Sequence, residues 1–235
     1  MNGIHLCPRL QMAADFVRPG AVVADIGTDH AYLPAHLVLS GKCPRAVVSD
    51  LREMPLENAR QTIRRYHLEG RITACLSDGL DALRPDQAQD FVLAGMGGEL
   101  IASLLARAPW LRDPAKRLIL QPMTHGEDTR RFLYENGFEI LREAAVQEGP
   151  HLYAALCAQY TGVKTDVSPG LSYMGRLPEC RTQAAALFLQ KQQKRLTMRA
   201  GALRGAGRPP AEYAALEAAA TELAQSLRHM TTQEE

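Results

Sequence analysis

The stretch Val22-Val23-Ala24-Asp25-Ile26-Gly27-Thr28-Asp29-His30 decides the fold. Val22 to Ile26 is a short apolar run between Gly20 and Gly27, the signature of a buried strand. Pro19-Gly20 closes a lead-in helix, where Leu6, Leu10, Ala13, Ala14 and Val17 recur at helical spacing. After it, Tyr32 to Leu39 reads as a helix stopped at Ser40-Gly41. A buried strand that turns through a glycine into a helix is the first βα unit of a parallel sheet.

The same alternation continues downstream. Ala46 to Ser49, ending on Asp50, Ile72 to Leu76, Phe91 to Ala94 and Leu118 to Leu120 read as four further strands. Helices are expected over Leu56 to Leu68, Leu100 to Ala108 and Thr129 to Glu135, the last capped by Gly137. Phe138 to Val146 and Leu152 to Tyr160 are separated only by Gln147-Glu148-Gly149-Pro150-His151, which fits an antiparallel hairpin and not a helical crossover. The expected fold class is α/β: a doubly wound, Rossmann-like seven-stranded sheet with an antiparallel edge hairpin.

Beyond Thr161 the pattern changes. Ser168-Pro169-Gly170 and Leu177-Pro178 read as a linker. Ala186, Leu189, Gln193, Leu196, Ala200 and Leu203 are then spaced by threes and fours. After a break at Gly205-Ala206-Gly207-Arg208-Pro209-Pro210, the residues Tyr213, Leu216, Ala220, Leu223, Leu227 and Met230 repeat that spacing. Two such helices form an antiparallel, coiled-coil-like helical hairpin. The expected division is residues 1–162 for the sheet domain and 163–235 for the hairpin.

A net charge of +1 hides a segregation of charge. Between Arg181 and Arg208 stand seven basic residues and no acidic one, whereas the second helix carries Glu212, Glu217 and Glu222. The basic helix is either a solvated face or an arm that follows a phosphate backbone. In the second case Lys191, Lys194, Arg195, Arg199 and Arg204 are the candidate RNA contacts.

The 46 % apolar and 23 % charged fractions are those of a globular chain. Five scattered cysteines, none in a Cys-x-x-Cys pair, argue against a zinc site or a disulfide framework. No metal is expected. Met1 to Arg18 lacks a basic-then-apolar leader pattern, and no apolar run reaches membrane length, so a cytoplasmic location is expected.

Ligands of open α/β sheets bind beyond the carboxyl ends of the strands. Gly27 permits close backbone approach there. A dinucleotide fingerprint would place further glycines where Asp29 and Tyr32 stand. Asp29 would repel a pyrophosphate but attract a sulfonium and an amino group, which favours S-adenosylmethionine over a nicotinamide cofactor. Alternatively, Asp29 caps the next helix. Asp50, at the second strand's end, can accept ribose hydroxyls or serve as a turn residue. Asp78-Gly79, after the third, can meet an adenine amine. Gly95-Met96-Gly97-Gly98 is a glycine-rich loop without an acid, Cys or Ser to act as nucleophile. Gln121-Pro122-Met123-Thr124-His125 offers hydrogen-bonding groups on the same rim.

Together, Asp25-Ile26-Gly27-Thr28-Asp29-His30-Ala31-Tyr32-Leu33-Pro34, Asp78-Gly79-Leu80, Ala94-Gly95-Met96-Gly97-Gly98 and Leu120-Gln121-Pro122 resemble the bacterial tRNA (adenine-22-N1)-methyltransferase family. The resemblance covers nearly the whole chain, since that family also carries a C-terminal helical hairpin. The family often has a Glu where Asp50 stands. The resemblance implies a Rossmann-like catalytic domain, S-adenosyl-L-methionine as cofactor, and methylation of adenosine N1 in the D-loop region of tRNA. The cofactor set expected is Asp25, Gly27, Asp29, Asp50, Asp78, Gly79, Gly95, Met96 and Gly97. Asp29, His30, Tyr32 and Gln121 are the expected catalytic and base-positioning residues. The partner implied is tRNA, with the protein a monomer or weak dimer. Two alternatives stand beside this reading: methylation of a small molecule or protein with the hairpin used for oligomerisation, and a non-catalytic RNA-binding protein.

Overall fold

Seven strands form one sheet in the order β3-β2-β1-β4-β5-β7-β6. They are β1 Val23–Ile26, β2 Ala46–Asp50, β3 Ile72–Leu76, β4 Asp90–Gly97, β5 Arg117–Thr124, β6 Phe138–Glu148 and β7 His151–Tyr160. The structure is a computed structural model and describes residues 4–231. Pairing is parallel from β3 through β5, and β7 inserts antiparallel between β5 and β6. The β6–β7 link is shorter than expected, because both strands extend to leave Gly149-Pro150 as the turn. Its brevity forces the antiparallel pairing.

Helices α1 Pro8–Phe16, α2 Tyr32–Leu39 and α3 Glu53–Arg65 cover one face of the sheet, and α4 Gly98–Arg107 and α5 Gly126–Glu135 the other. Alternation along β1 divides the two cores: Val23 points into the first, Ala24 and Ile26 into the second. Phe91, Leu93, Leu118 and Leu120 are fully buried in the second core. Each contributes on the order of 2 kcal/mol through burial.

Two expected loops are strand. β4 runs through Gly97 and β5 through Thr124, with register shifts between Ala94 and Gly97. Glycines and a proline read locally as loop, but pairing of β4 with β5 carries both onward. The expected linker is also ordered: Pro169–Met174 forms α6, capped by the Ser168 hydroxyl, and Leu177–Cys180 is a 3-10 turn.

The hairpin consists of α7 Gln183–Gly205 and α8 Ala214–Thr231. Leu189, Leu196, Ala200, Ala220 and Leu223 are buried, as their spacing predicts. At the start of α7 the buried residue is Ala185, with Ala186 only partly covered. There the helix packs with Leu177 on Ala154 of β7, so the sheet sets the inward face. Residues 232–235 of the expected second unit lie outside the described residues.

A buried ion pair stands where α5 and the sheet meet the α6 segment. Arg130 of α5 and Glu143 of β6 have side chains 3 % and 0 % exposed and approach to 2.5 Å. The Ser172 carbonyl accepts from Arg130, and the Arg176 N–H donates to Glu143. Gly175 lies against both side chains with φ +49°, where a Cβ would collide with the Glu143 carboxylate.

Candidate active site at the carboxyl edge of the sheet

β1 and β4 are neighbours whose following helices leave on opposite faces, which opens a crevice at their carboxyl ends. A cleft of about 320 Å³ lies there, lined by Arg9, Asp25, Gly27, Asp29, Tyr32 and Gly95 among others. The turn after β1 is fixed from below, since the Gly27 and Thr28 N–H groups both donate to the Ser49 carbonyl at 2.7 and 3.0 Å. Gly27 has φ +73°, and the tip of the Met96 side chain occupies the place of its missing Cβ. Met96 therefore belongs partly to the core beneath the cleft.

Asp29 does not cap α2. The cap position is Ala31, at φ 53°, and its N–H donates to the Thr28 hydroxyl at 3.0 Å. Asp29 is left 69 % exposed beside the cleft, 3.3 Å from His30 Nε2. His30 in turn stacks on Tyr32, with ring centroids 5.2 Å apart. Asp25 lies on the floor of the cleft, buried but not sealed off at 8 % exposed. Burial pushes its carboxyl up to about 6, against a hydrogen bond from Thr28 that lowers it.

Gln121 is buried and does not stand open on the rim. Its Oε1 accepts from the Gly95 N–H at 3.2 Å and from Arg9 Nη1 at 3.3 Å, while Nε2 donates to the Pro122 carbonyl. It holds the end of β4 in place. Arg9 is a site residue that the motifs did not reveal. Its guanidinium also lies over the Tyr153 ring at 5.9 Å and has no carboxylate partner among the described residues. The sequence signal was faint: one cation in a short helix that is apolar on its inner face.

Asp50 and Asp78 sit at the ends of β2 and β3. One Asp50 oxygen accepts from the Arg52 N–H at 2.8 Å, so this acid does serve its turn. Asp78 faces Arg107 of α4 at 3.0 Å, and this cation holds the Asp78 carboxyl below the usual carboxylate range. Leu51, Met54 and Leu76 flank the two acids and are more than half exposed. Gly97 adjoins Thr124, and the next residue, Gly98, lies so close to the His125 carbonyl that a Cβ would collide with it. Glu99, His125 and Asp128 bring one ligand atom each within 4.8 Å of one another, a solvent-open set that could receive a cation.

The basic helix reaches the same rim. Arg195 pairs with Glu127 in the first turn of α5 at 3.3 Å. Arg204 pairs with Glu217 across the hairpin. Lys191, Lys194 and Arg199 are exposed and have no ion pair among the described residues.

These features define a Rossmann-like methyltransferase: residues 6–156 match the family model described as a methyltransferase domain. Within that class, the chain belongs to the tRNA (adenine(22)-N(1))-methyltransferase family. The Bacillus subtilis protein of that name is 33 % identical over 199 residues, 83 % of either chain. The crystal structure of the B. subtilis m1A22 tRNA methyltransferase TrmK superposes with a TM-score of 0.82 at 27 % identity, over 97 % of this chain and 99 % of that one. A Streptococcus pneumoniae relative, solved in complex with S-adenosyl-L-methionine, gives 0.79 at 29 % identity, over 96 % of this chain and 99 % of that one. Among the described residues, no helix is long and apolar enough to cross a membrane.

Proposed function

We propose that this protein methylates N1 of an adenosine in tRNA, at position 22 of the D-loop region, with S-adenosyl-L-methionine as donor. The observation that carries the reading is the meeting, in one cleft, of the exposed Asp29 carboxylate with the side-chain-free backbone of Gly27 and Gly95. Acid in place of a glycine fingerprint suits a cationic ligand. The donor set fits the whole cofactor: Asp50 for ribose hydroxyls, Asp78-Gly79 for the adenine edge, Asp25 and Asp29 for the cationic end. Gly95, Met96 and Gly97 line its path through their backbone. Arg9, lacking an acid partner, suits the carboxylate.

S-Adenosylmethionine supplies an electrophilic methyl group on a sulfonium. Adenine N1 attacks with an in-plane lone pair, so the N–C bond forms as the C–S bond breaks, and the base becomes cationic. No proton leaves N1, and no general base is needed. The residues act by alignment and by charge. Asp29 stabilises the positive charge that grows on the base. The stacked His30 and Tyr32 supply a flat wall for an extruded adenine. Gln121 works through Gly95, as a positioning residue.

In this reading residues 1–162 form the catalytic domain and 163–235 the RNA arm. Lys191, Lys194, Arg195, Arg199 and Arg204 follow the tRNA backbone, two of them pre-oriented by Glu127 and Glu217. The protein acts in the cytoplasm as a monomer or weak dimer and without a metal. Incubation of unmodified tRNA with protein and donor, followed by nucleoside mass spectrometry, tests the reading. N1-methyladenosine is expected, and it disappears when position 22 is changed to guanosine. Absence of the product from wild-type tRNA overturns the proposal.

A further inference from the structure

One helix connects the methyl-transfer end of the cleft to the shelf beyond it. α4 begins directly after Gly95-Met96-Gly97 and ends at Arg107, against the Asp78-Gly79 turn. The Arg107 guanidinium grips that turn by both its side chain and its backbone. Nη2 lies 3.0 Å from Asp78 Oδ1, Nη1 donates to Oδ2 at 3.1 Å, and Nη2 also donates to the Asp78 carbonyl at 3.2 Å. Asp81 lies 3.5 Å from the same guanidinium. One turn earlier, Leu104 fills the place where a Gly79 Cβ would stand, and Gly79 itself has φ +59°.

Stability does not account for this arrangement. Arg107 and Asp78 are 41 % and 52 % exposed, and exposed pairs contribute little to folding. The surroundings point to a ligand instead. Leu51 and Leu76, 63 % and 53 % exposed, offer apolar surface suited to the faces of a flat ring. Asp78 supplies an acceptor, and the adjoining Gly79 N–H has no protein acceptor among the described residues. An acceptor beside a donor matches the edge of a 6-aminopurine, which presents an amine beside a bare ring nitrogen. A 6-oxopurine presents the reverse pattern.

We propose that Arg107 is a positioning residue that fixes the rotamer of the Asp78 carboxylate, and that this makes the shelf select a 6-aminopurine nucleoside over a 6-oxopurine. Both Asp78 oxygens are held by the guanidinium fork, which leaves their outer lone pairs aimed in one direction. At neutral pH the exposed Asp78 is a carboxylate and so acceptor-only, whether or not Arg107 is present; the guanidinium sets its direction. The inference rests on the cofactor reading above and adds to it a specificity device that does not touch the ligand.

The test is calorimetric binding of S-adenosylhomocysteine and S-inosylhomocysteine to wild type, Arg107→Gln, Arg107→Lys and Asp78→Asn. Wild type should prefer the adenosyl ligand by about 100-fold, as expected where a site's polar groups are left unmatched by the wrong analogue. Arg107→Gln should shrink that ratio to about tenfold or less, and Arg107→Lys should restore part of it. Asp78→Asn, whose amide can accept or donate, should nearly abolish it. A purely structural Arg107 would weaken both ligands equally. An unchanged ratio in Arg107→Gln therefore overturns its role while leaving the cofactor reading intact. Should Arg107→Gln fail to fold, an undiminished ratio in Arg107→Lys overturns the role instead. Wild type that binds neither nucleoside overturns the cofactor reading, and this inference with it.

Discussion

The Arg195 guanidinium lies 3.3 Å from the Glu127 carboxylate, and this pair ties the basic helix to the rim of the sheet. Glu127 is in the first turn of the helix that follows β5, two residues after His125. The arm is thereby held beside the site and does not simply extend from the chain's end. Arg195→Glu sets two carboxylates against each other. It should raise the KM for tRNA about tenfold and lower the salt dependence of binding by about one ion. Because Glu127 is nearly buried, folding should weaken by about 1–2 kcal/mol. Adding Glu127→Arg should restore the tether, but only part of the RNA affinity. Steady-state kinetics at several salt concentrations checks both.

Asp29 makes few contacts, so its removal should spare the fold. Asp29→Asn should leave the melting temperature nearly unchanged and lower kcat/KM about 100-fold, the scale of losing one group that stabilises transition-state charge. A variant with full activity would remove Asp29 from the mechanism.

Asp25 gives the protein a characteristic pH dependence. Its carboxyl sits near 3.8 in the unfolded chain and at about 6 when buried. Between those values the native state keeps a proton that the unfolded state releases. This contribution to stability therefore falls as pH rises through the window and levels off above it, a loss of about 3 kcal/mol. Denaturant melts from pH 4 to pH 7.5 should show this slope in wild type and a flatter one in Asp25→Asn. The two curves should diverge most above pH 6.

Glu143→Gln removes the charge that compensates Arg130 in a nearly solvent-free setting. It should destabilise the protein by about 3 kcal/mol or more. Glu143 also receives the Arg176 N–H, so hydrogen exchange should speed up over residues 169–180 before the sheet responds.

Local chemistry made much of this protein legible. Short apolar runs located the central strands, because a strand covered on both faces must be apolar on both. Threes-and-fours spacing located the hairpin, because helix geometry returns a residue to the same face at that interval. The places of Asp25, Gly27, Asp29, Asp50 and Asp78 at the carboxyl edge were readable because each lies at or just past the end of an apolar strand. The extent of β4 and β5 and the order within 168–180 were not readable, since strand pairing and packing overrode the local turn residues.

What the tertiary structure alone decided were the partners of those side chains. Gln121 reads as a rim residue in the sequence but lies beneath Gly95, where it meets Arg9 from 112 positions away. Asp78 meets Arg107 across 29 positions, and Glu127 meets Arg195 across 68. Backbone sterics and periodicity act over a few residues and are written in the local sequence. Which cation reaches which carboxylate depends on strand order and helix packing, and these are fixed by the burial of the whole core.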